Sequence, residues 1–237
     1  MDTARDGEYS KKGDYHKKLD KNWRYYPIYM AKMGFIEDYL NKTPKSLRIL
    51  DAGCGEGVLV EKFHKKGYGI IGLDLNYSSD MVKRGDISNM PFKDQEFDLV
   101  LCLDILEHLT FDKQEEALED IKRVLKDDGI LLLSIPNLSH FASRISFLFT
   151  GNLLRTSEIE RHPGDRPINE YMELLRRKGF TIRDRRGIFP TFPVSSLLTY
   201  LFPNRVLGLH RLLNTFFAYP NWCFLNIMVC RNDGVLH

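Results

Sequence analysis

The chain has 237 residues, 43% of them hydrophobic and 28% charged, with a formal net charge of +2. That balance fits a globular domain with a sizeable core, and so small a charge gives no argument for a nucleic-acid partner. The four cysteines, Cys54, Cys102, Cys223 and Cys230, form no Cys-x-x-Cys pair and no zinc-like group with histidine, which points away from a disulfide framework and towards a reducing, cytoplasmic setting.

Residues 1–21 are polar, rich in Lys, Asp and Gly, and predict a flexible arm without an apolar export segment. Residues 22–237 read as a single domain. From Trp23 to Leu40, aromatic and aliphatic residues at three- and four-residue spacing predict one or two amphipathic helices, with Pro27 at a start or a kink. A regular alternation follows. Leu47–Ala52 is a predicted strand, Val58–Lys66 a helix closed by Gly67, Gly69–Asp74 a strand, and Ser78–Arg84 a short helix. Phe97–Leu103 is nearly all apolar, as a parallel strand covered on both faces should be. Asp112–Lys126 predicts a helix capped by Asp112, and Gly129–Ile135 another buried strand. Beyond Pro136 the rhythm loosens: Leu138–Pro167 reads as a long connection, Ile168–Lys178 as a helix and Phe180–Ile188 as a strand. Phe189–Pro220 reads as a second irregular segment and Trp222–Arg231 as the last strand. Strands alternating with helices imply a parallel sheet.

The most specific motif is Asp51-Ala52-Gly53-Cys54-Gly55-Glu56-Gly57, where a strand runs into a glycine-rich turn. Such a turn lets a ligand approach the backbone beside the positive end of the next helix. Asp51 would repel a pyrophosphate and suits a ligand carrying an ammonium group. The dinucleotide fingerprint Gly-x-Gly-x-x-Gly is not completed in either register, because Val58 and Val60 stand where the third glycine belongs. Asp74, at the end of the second strand, is placed to accept hydrogen bonds from the hydroxyls of a ribose.

Further segments share one pattern: Gly85-Asp86-Ile87 before Met90-Pro91-Phe92, Phe97–Leu103 running into Asp104-Ile105-Leu106-Glu107-His108-Leu109, then Val124–Gly129 and Ile135-Pro136-Asn137. Together with the glycine motif, these resemble the class I S-adenosylmethionine-dependent methyltransferases over roughly residues 47–137. The resemblance implies an α/β fold with a Rossmann-like, doubly wound, seven-stranded and mostly parallel sheet whose last strand runs antiparallel. It implies S-adenosylmethionine as cofactor, with S-adenosylhomocysteine as product. Asp51 and the loop residues Gly53, Cys54, Gly55 and Gly57 would hold the methionine moiety, Asp74 the ribose, and Asp86 and Ile87 the adenine, with Leu75 also among the cofactor-binding residues. Leu103 and Asp104 would line the mouth near the sulfonium. The family often has Pro-Gly-Gly before its fifth strand; Lys126-Asp127-Asp128-Gly129 stands there instead, a structural departure. The run Ile135–His140 and the His162/Arg166 element are similar to a bacterial subgroup that modifies sugars, lipids and other small molecules. Pro167-Ile168 replaces that subgroup's usual aromatic pair, so only the position of the acceptor site carries over.

Methyl transfer to a hydroxyl needs a base, and histidine titrates in the right range. His108, His140 and His162 fall where the acceptor should lie. Their structural alternatives are a helix-start residue, a loop histidine packed on Phe141 and a surface histidine. Glu107 is an alternative base or an ion-pair partner. His16, His64, His210 and His237 read as bystanders, and no spacing suggests a metal site. From Leu138 to Thr215 there are 12 Lys or Arg against 6 Asp or Glu. This greasy, basic stretch holds two expected acceptor-site inserts, 138–167 and 189–220, that leave a lid, a homodimer interface and a peripheral membrane contact open. The expected function is methyl transfer to a small molecule, such as a hydroxyl of a lipid, glycan or other metabolite. An NAD(P)-dependent oxidoreductase and a non-catalytic cofactor-binding module are the alternatives. Nucleic acid is not expected, since no Asn-Pro-Pro-Tyr-like element occurs.

Overall fold

A computed structural model describes residues 19–154 and 160–234. Most of the expected arm, with His16, lies outside the described residues, as do part of the first insert and His237. The seven strands are β1 (Arg48–Ala52), β2 (Gly69–Asp74), β3 (Val82–Arg84), β4 (Phe97–Leu103), β5 (Leu125–Pro136), β6 (Phe180–Pro190) and β7 (Cys223–Asn232). They form one sheet in the order β3-β2-β1-β4-β5-β7-β6. β1 to β5 run parallel, and β7 runs antiparallel to both β5 and β6.

The apolar runs of the strands follow from burial on both faces. In β4 and β5, Val100, Leu131 and Leu133 join one core with Leu118 and Ile121 of α3 (Phe111–Val124) and Tyr171 and Leu174 of α5 (Ile168–Arg177). Their neighbours Leu99, Leu101 and Leu132 turn to the opposite face. There they pack with Ile36 and Leu40 of α1 (Tyr26–Asn41) and Val60 and Phe63 of α2 (Val58–His64). Alternation of side chains across a strand thus feeds two separate cores, and neither face is left for polar residues.

Several expectations are corrected. Residues 78–84 form no helix. Val82–Arg84 is instead a strand, pairing with Gly72–Asp74, and the Gly72 amide donates to the Met81 carbonyl. A stretch this short cannot sustain a helix nucleus, whereas the open edge of β2 offers ready backbone partners. Thr110, not Asp112, takes the cap position of α3; Asp112 lies inside the first turn, where its charge favours the helix dipole. β5 begins at Leu125, earlier than expected. Phe97 pairs with Leu125 and Leu99 with Ile130, so 126–129 loop out of the pairing, with Asp128 left-handed at φ 61°. The two irregular segments carry helices: α4 (Phe141–Thr150) in the first, α6 (Pro193–Leu201) and α7 (Leu207–Phe216) in the second. Their apolar spacing was obscured by the Pro, Gly and Ser residues that punctuate them.

Candidate cofactor and acceptor site

The parallel strands deliver their functional residues to one edge. β1 ends at Ala52 and enters the glycine loop, whose Gly53, Gly55 and Gly57 have φ of 83°, 54° and 73°. A Cβ on Gly53 would run into Ile105, and one on Gly57 would lie 2.9 Å from Val82 Cγ2. The loop is stitched to β2, because the Gly53 and Cys54 amides both donate to the Leu73 carbonyl, at 2.7 and 3.0 Å. Asp74, 7% exposed, reaches back and accepts from the Gly55 amide at 2.9 Å, while its other oxygen accepts from the Asn76 amide. Each carboxylate oxygen retains a lone pair for a further donor. Leu75 beside it is exposed. Asp86, exposed, accepts from both the amide and the hydroxyl of Ser88, which fixes the turn that buries Ile87.

Asp51 is buried beneath the loop, and burial pushes its carboxyl up to about 7, against the pull of Lys32 and with the repulsion of Asp74. Asp104, just past Leu103, holds a left-handed φ of 55°. Burial raises its pKa, but Lys32 Nζ at 2.6 Å, the Ser134 hydroxyl and His108 outweigh that and leave it below the usual carboxylate range. Glu107, 2% exposed, is driven well above the ordinary carboxyl value by burial and by Asp104. Its Oε2 has no hydrogen-bond partner among the described residues, as a neutral carboxylic acid tolerates better than an anion. Among the described residues, Lys32 is the lysine that meets the buried and half-buried acids here, pairing with Asp104 and acting on Asp51. Such an acidic lining suits a ligand that brings a cation. S-adenosylmethionine, with its ammonium and sulfonium groups, fits this acidic lining, and a Cβ at Gly53 or Gly57 would force the left-handed loop against Ile105 or Val82.

Lys32 is the residue that sequence reasoning missed. Its signal was present: Ile28, Lys32, Ile36 and Leu40 share the buried stripe of α1 at four-residue spacing, and a lysine at a core position needs a buried anion. Tyr29, one turn earlier, faces the same acids. Burial, with Glu37, Asp51, Asp104 and Glu56, pushes its hydroxyl up to about 12.

His108 ends the helical turn Leu106–His108 that follows β4. Its Nδ1 lies 3.0 Å from the Arg161 carbonyl, which can only accept, so Nδ1 carries the proton of that hydrogen bond. The ring meets His162 edge to face, with centroids 4.5 Å apart, and His162 Nδ1 lies 3.7 Å from Asp165. The segment is fixed through Gly164: its amide donates to the Glu107 carbonyl, and its own carbonyl accepts from Gln114 and Tyr171. Arg166 stacks over the Phe111 ring at 4.2 Å. His140 stands at the cap of α4, where Nδ1 accepts from the Ser143 amide and lies 2.8 Å from the Thr191 hydroxyl. Burial lowers its pKa to about 4, with a smaller opposite pull from Leu154. His140 and Asp165 line the same small cleft with Pro136, Asn137 and Phe224. His108 and His162 therefore touch, His162 approaches Asp165, and Asp165 shares the lining of one cleft with His140. Among the described residues no cluster of side chains is arranged to hold a metal ion.

An α/β sheet of this order, with a glycine loop after β1, an acid after β2 and an anionic mouth after β4, defines a nucleoside-binding methyltransferase-type fold. A family model described as a methyltransferase domain matches residues 50–133. An Encephalitozoon cuniculi protein named as a methyltransferase is 32% identical over 165 residues, covering 63% of this chain and 76% of that protein. A ubiquinone biosynthesis O-methyltransferase of Rhizobium etli is 24% identical over 185 residues, 67% of this chain and 74% of its own. A solved 1,6-didemethyltoxoflavin N1-methyltransferase of Burkholderia thailandensis, with its substrate and S-adenosylhomocysteine bound, superposes with a TM-score of 0.56. It is 17% identical, covering 95% of this chain and 84% of that one, and so shares the fold. Against two other curated relatives the chain spans about half their length, 45% and 54%. The chain belongs to the class I S-adenosylmethionine-dependent methyltransferases, and S-adenosylmethionine is the cofactor of that family. The nicotinamide alternative is thereby set aside.

Proposed function

We propose that the protein transfers a methyl group from S-adenosylmethionine to a hydroxyl of a small acceptor that is partly apolar. The observation that carries this reading is His108, held with its Nδ1 on the Arg161 carbonyl and its ring against His162, beside Asp104 at the carboxyl end of β4. Asp51 and the loop from Gly53 to Gly57 would hold the methionine part of the cofactor, Asp74 the ribose, and Asp86 with Ile87 the adenine. When bound, the cofactor supplies an electrophilic methyl group and a good leaving group. The chain's own task is alignment, exclusion of water and removal of one proton. His108 Nε2 takes the proton that the acceptor hydroxyl loses as its oxygen bonds to carbon. His162, oriented by Asp165, stabilises the resulting imidazolium through the shared contact. His140 shapes the cleft, since its Nδ1 lone pair already serves the start of α4. The O-methyltransferase activity named for the Rhizobium relative supports a hydroxyl acceptor.

The test is S-adenosylhomocysteine production with a panel of phenolic and polyhydroxyl acceptors of graded chain length. His108→Gln should lower kcat by about 100-fold or more with one such acceptor, the scale of a lost general base, while S-adenosylhomocysteine affinity stays within about twofold. An unchanged kcat overturns the base assignment. Tight NAD binding with no calorimetric signal from S-adenosylhomocysteine overturns the cofactor reading itself.

A further inference from the structure

The helices α4, α6 and α7 are built inside out. The buried side chains of α4 and α6 are Ser143, Ser195 and Thr199, and that of α7 is His210. These polar groups find partners within the inserts: Thr199 Oγ1 donates to the Ser195 carbonyl and lies 2.7 Å from His210 Nε2, and Ser143 Oγ accepts from the Leu154 amide. The apolar side chains point outward. Leu148 and Phe149 of α4 are 77% and 80% exposed, and Leu197 and Tyr200 of α6 are 59% and 67% exposed. Phe216 of α7 is 64% exposed. Water alone would select the opposite arrangement.

The patch is continuous. Phe141 at the start of α4 touches both Trp222 and Phe192, each at 5.6 Å between ring centroids. Phe192 in turn meets Phe217 beyond α7, and Trp222 meets Tyr219. Three helices therefore radiate from one half-exposed aromatic hub. Its charge has a single sign: across 138–154 and 189–222 the sequence has Arg144, Arg205 and Arg211 and no Asp or Glu.

We infer that this face is a peripheral docking surface for an anionic lipid bilayer. Exposed Leu and Phe suit the acyl boundary, Trp and Tyr the headgroup level, and the arginines the lipid phosphates. A second copy of the chain fits worse, since like patches would bring arginines together with no carboxylate to meet them. The helices have 10, 9 and 10 residues, far too short to cross a bilayer, so contact is from one side. They emerge after β5 and β6, at the edge that carries the glycine loop and Asp104, so docking would turn the mouth of the site towards the lipid.

The inference does not rest on the acceptor reading, and its primary readout, sedimentation with vesicles, needs neither cofactor nor acceptor. The full chain is sedimented with vesicles of phosphatidylcholine alone or of equimolar phosphatidylcholine and phosphatidylglycerol. It should partition onto the anionic vesicles at least about tenfold better than onto the zwitterionic ones, and high salt should narrow that ratio. Leu148→Ser with Phe149→Ser should lower the partition about tenfold or more, and Arg205→Gln with Arg211→Gln should remove most of the anionic preference. Unchanged thermal unfolding and S-adenosylhomocysteine affinity in both variants show that the fold is intact. A chain that stays in the supernatant with both vesicle types overturns the proposal, as does partition indifferent to both variants. A dimer seen by analytical ultracentrifugation without vesicle binding, and split by the Leu148/Phe149 variant, assigns the face to self-association instead.

Discussion

The edge formed by β1, β2 and β4 and the helices inserted after β5 and β6 are organised on opposite principles. At the first edge polar groups are concentrated in a dry setting and the backbone fills the remaining space. Asp51, Asp74 and Glu107 are all under 10% exposed, and the glycine loop tolerates no added carbon at Gly53. In the inserts, buried polar groups are satisfied locally and the apolar side chains are left outside. One region leaves little geometric freedom, and the other presents a broad face with loose geometric demands. Substitutions should therefore have large effects in the first and small effects on stability in the second.

Gly53→Ala is the sharpest way to test this contrast. The left-handed backbone and the collision with Ile105 together should cost about 2–4 kcal/mol, read as a lower urea midpoint, with loss of cofactor binding. Asp74→Ala comes next. Losing a charged hydrogen-bond acceptor should weaken S-adenosylhomocysteine binding by about 1.5–3 kcal/mol in calorimetry, and the Gly55 amide loses its partner as well. A folded protein with unchanged affinity would show that Asp74 serves the loop alone.

The two regions should also respond to pH with opposite sign. Asp51 is raised to about 7, so it holds a proton in the folded state that the unfolded chain releases. Its contribution to stability is complete below the normal carboxylate value and is lost as pH rises through about 7. A cationic ligand favours the ionised form, so cofactor affinity should rise by up to about tenfold per pH unit on the acid side of 7 and level off above it. In the inserts, His140 and His210 are both lowered to about 4, chiefly by burial. The unfolded chain binds their protons first, so stability from these residues is lost as pH falls from the normal histidine range towards 4. Acid titration followed by Trp222 fluorescence should show the inserts loosening in that window, and His140→Asn, which keeps a helix cap, should reduce the effect.

The smallest effect is expected on the exposed face. Phe149→Ser should change folding stability by less than about 0.5 kcal/mol, because the ring makes few contacts to lose. A larger loss, measured in urea, would mean that α4 packs more firmly than its exposure implies.

The sequence by itself determined the elements whose signal is local. The apolar run Phe97–Leu103 and the strand Gly69–Asp74 have the same limits in the structure, and the glycine turn after β1 lies where its residues demanded a left-handed backbone. The order of motifs from Asp51 to Asn137 was enough to indicate the family, because each lies at a strand end and needs no distant partner to be recognised. What only the tertiary structure decided were relations between distant segments. Lys32 meets Asp104 across 72 positions, and His108 meets His162 with Arg161 supplying the carbonyl that accepts from its Nδ1. Residues 82–84 became a strand because β2 offered an edge. The orientation of α4, α6 and α7 was also beyond reach, since periodicity shows that a helix has an apolar stripe but not which side faces the protein. That choice is made by what the helix packs on: Thr199 and His210 bond to each other, His210 stacks on Phe189 of β6, and Ser143 holds the Leu154 amide.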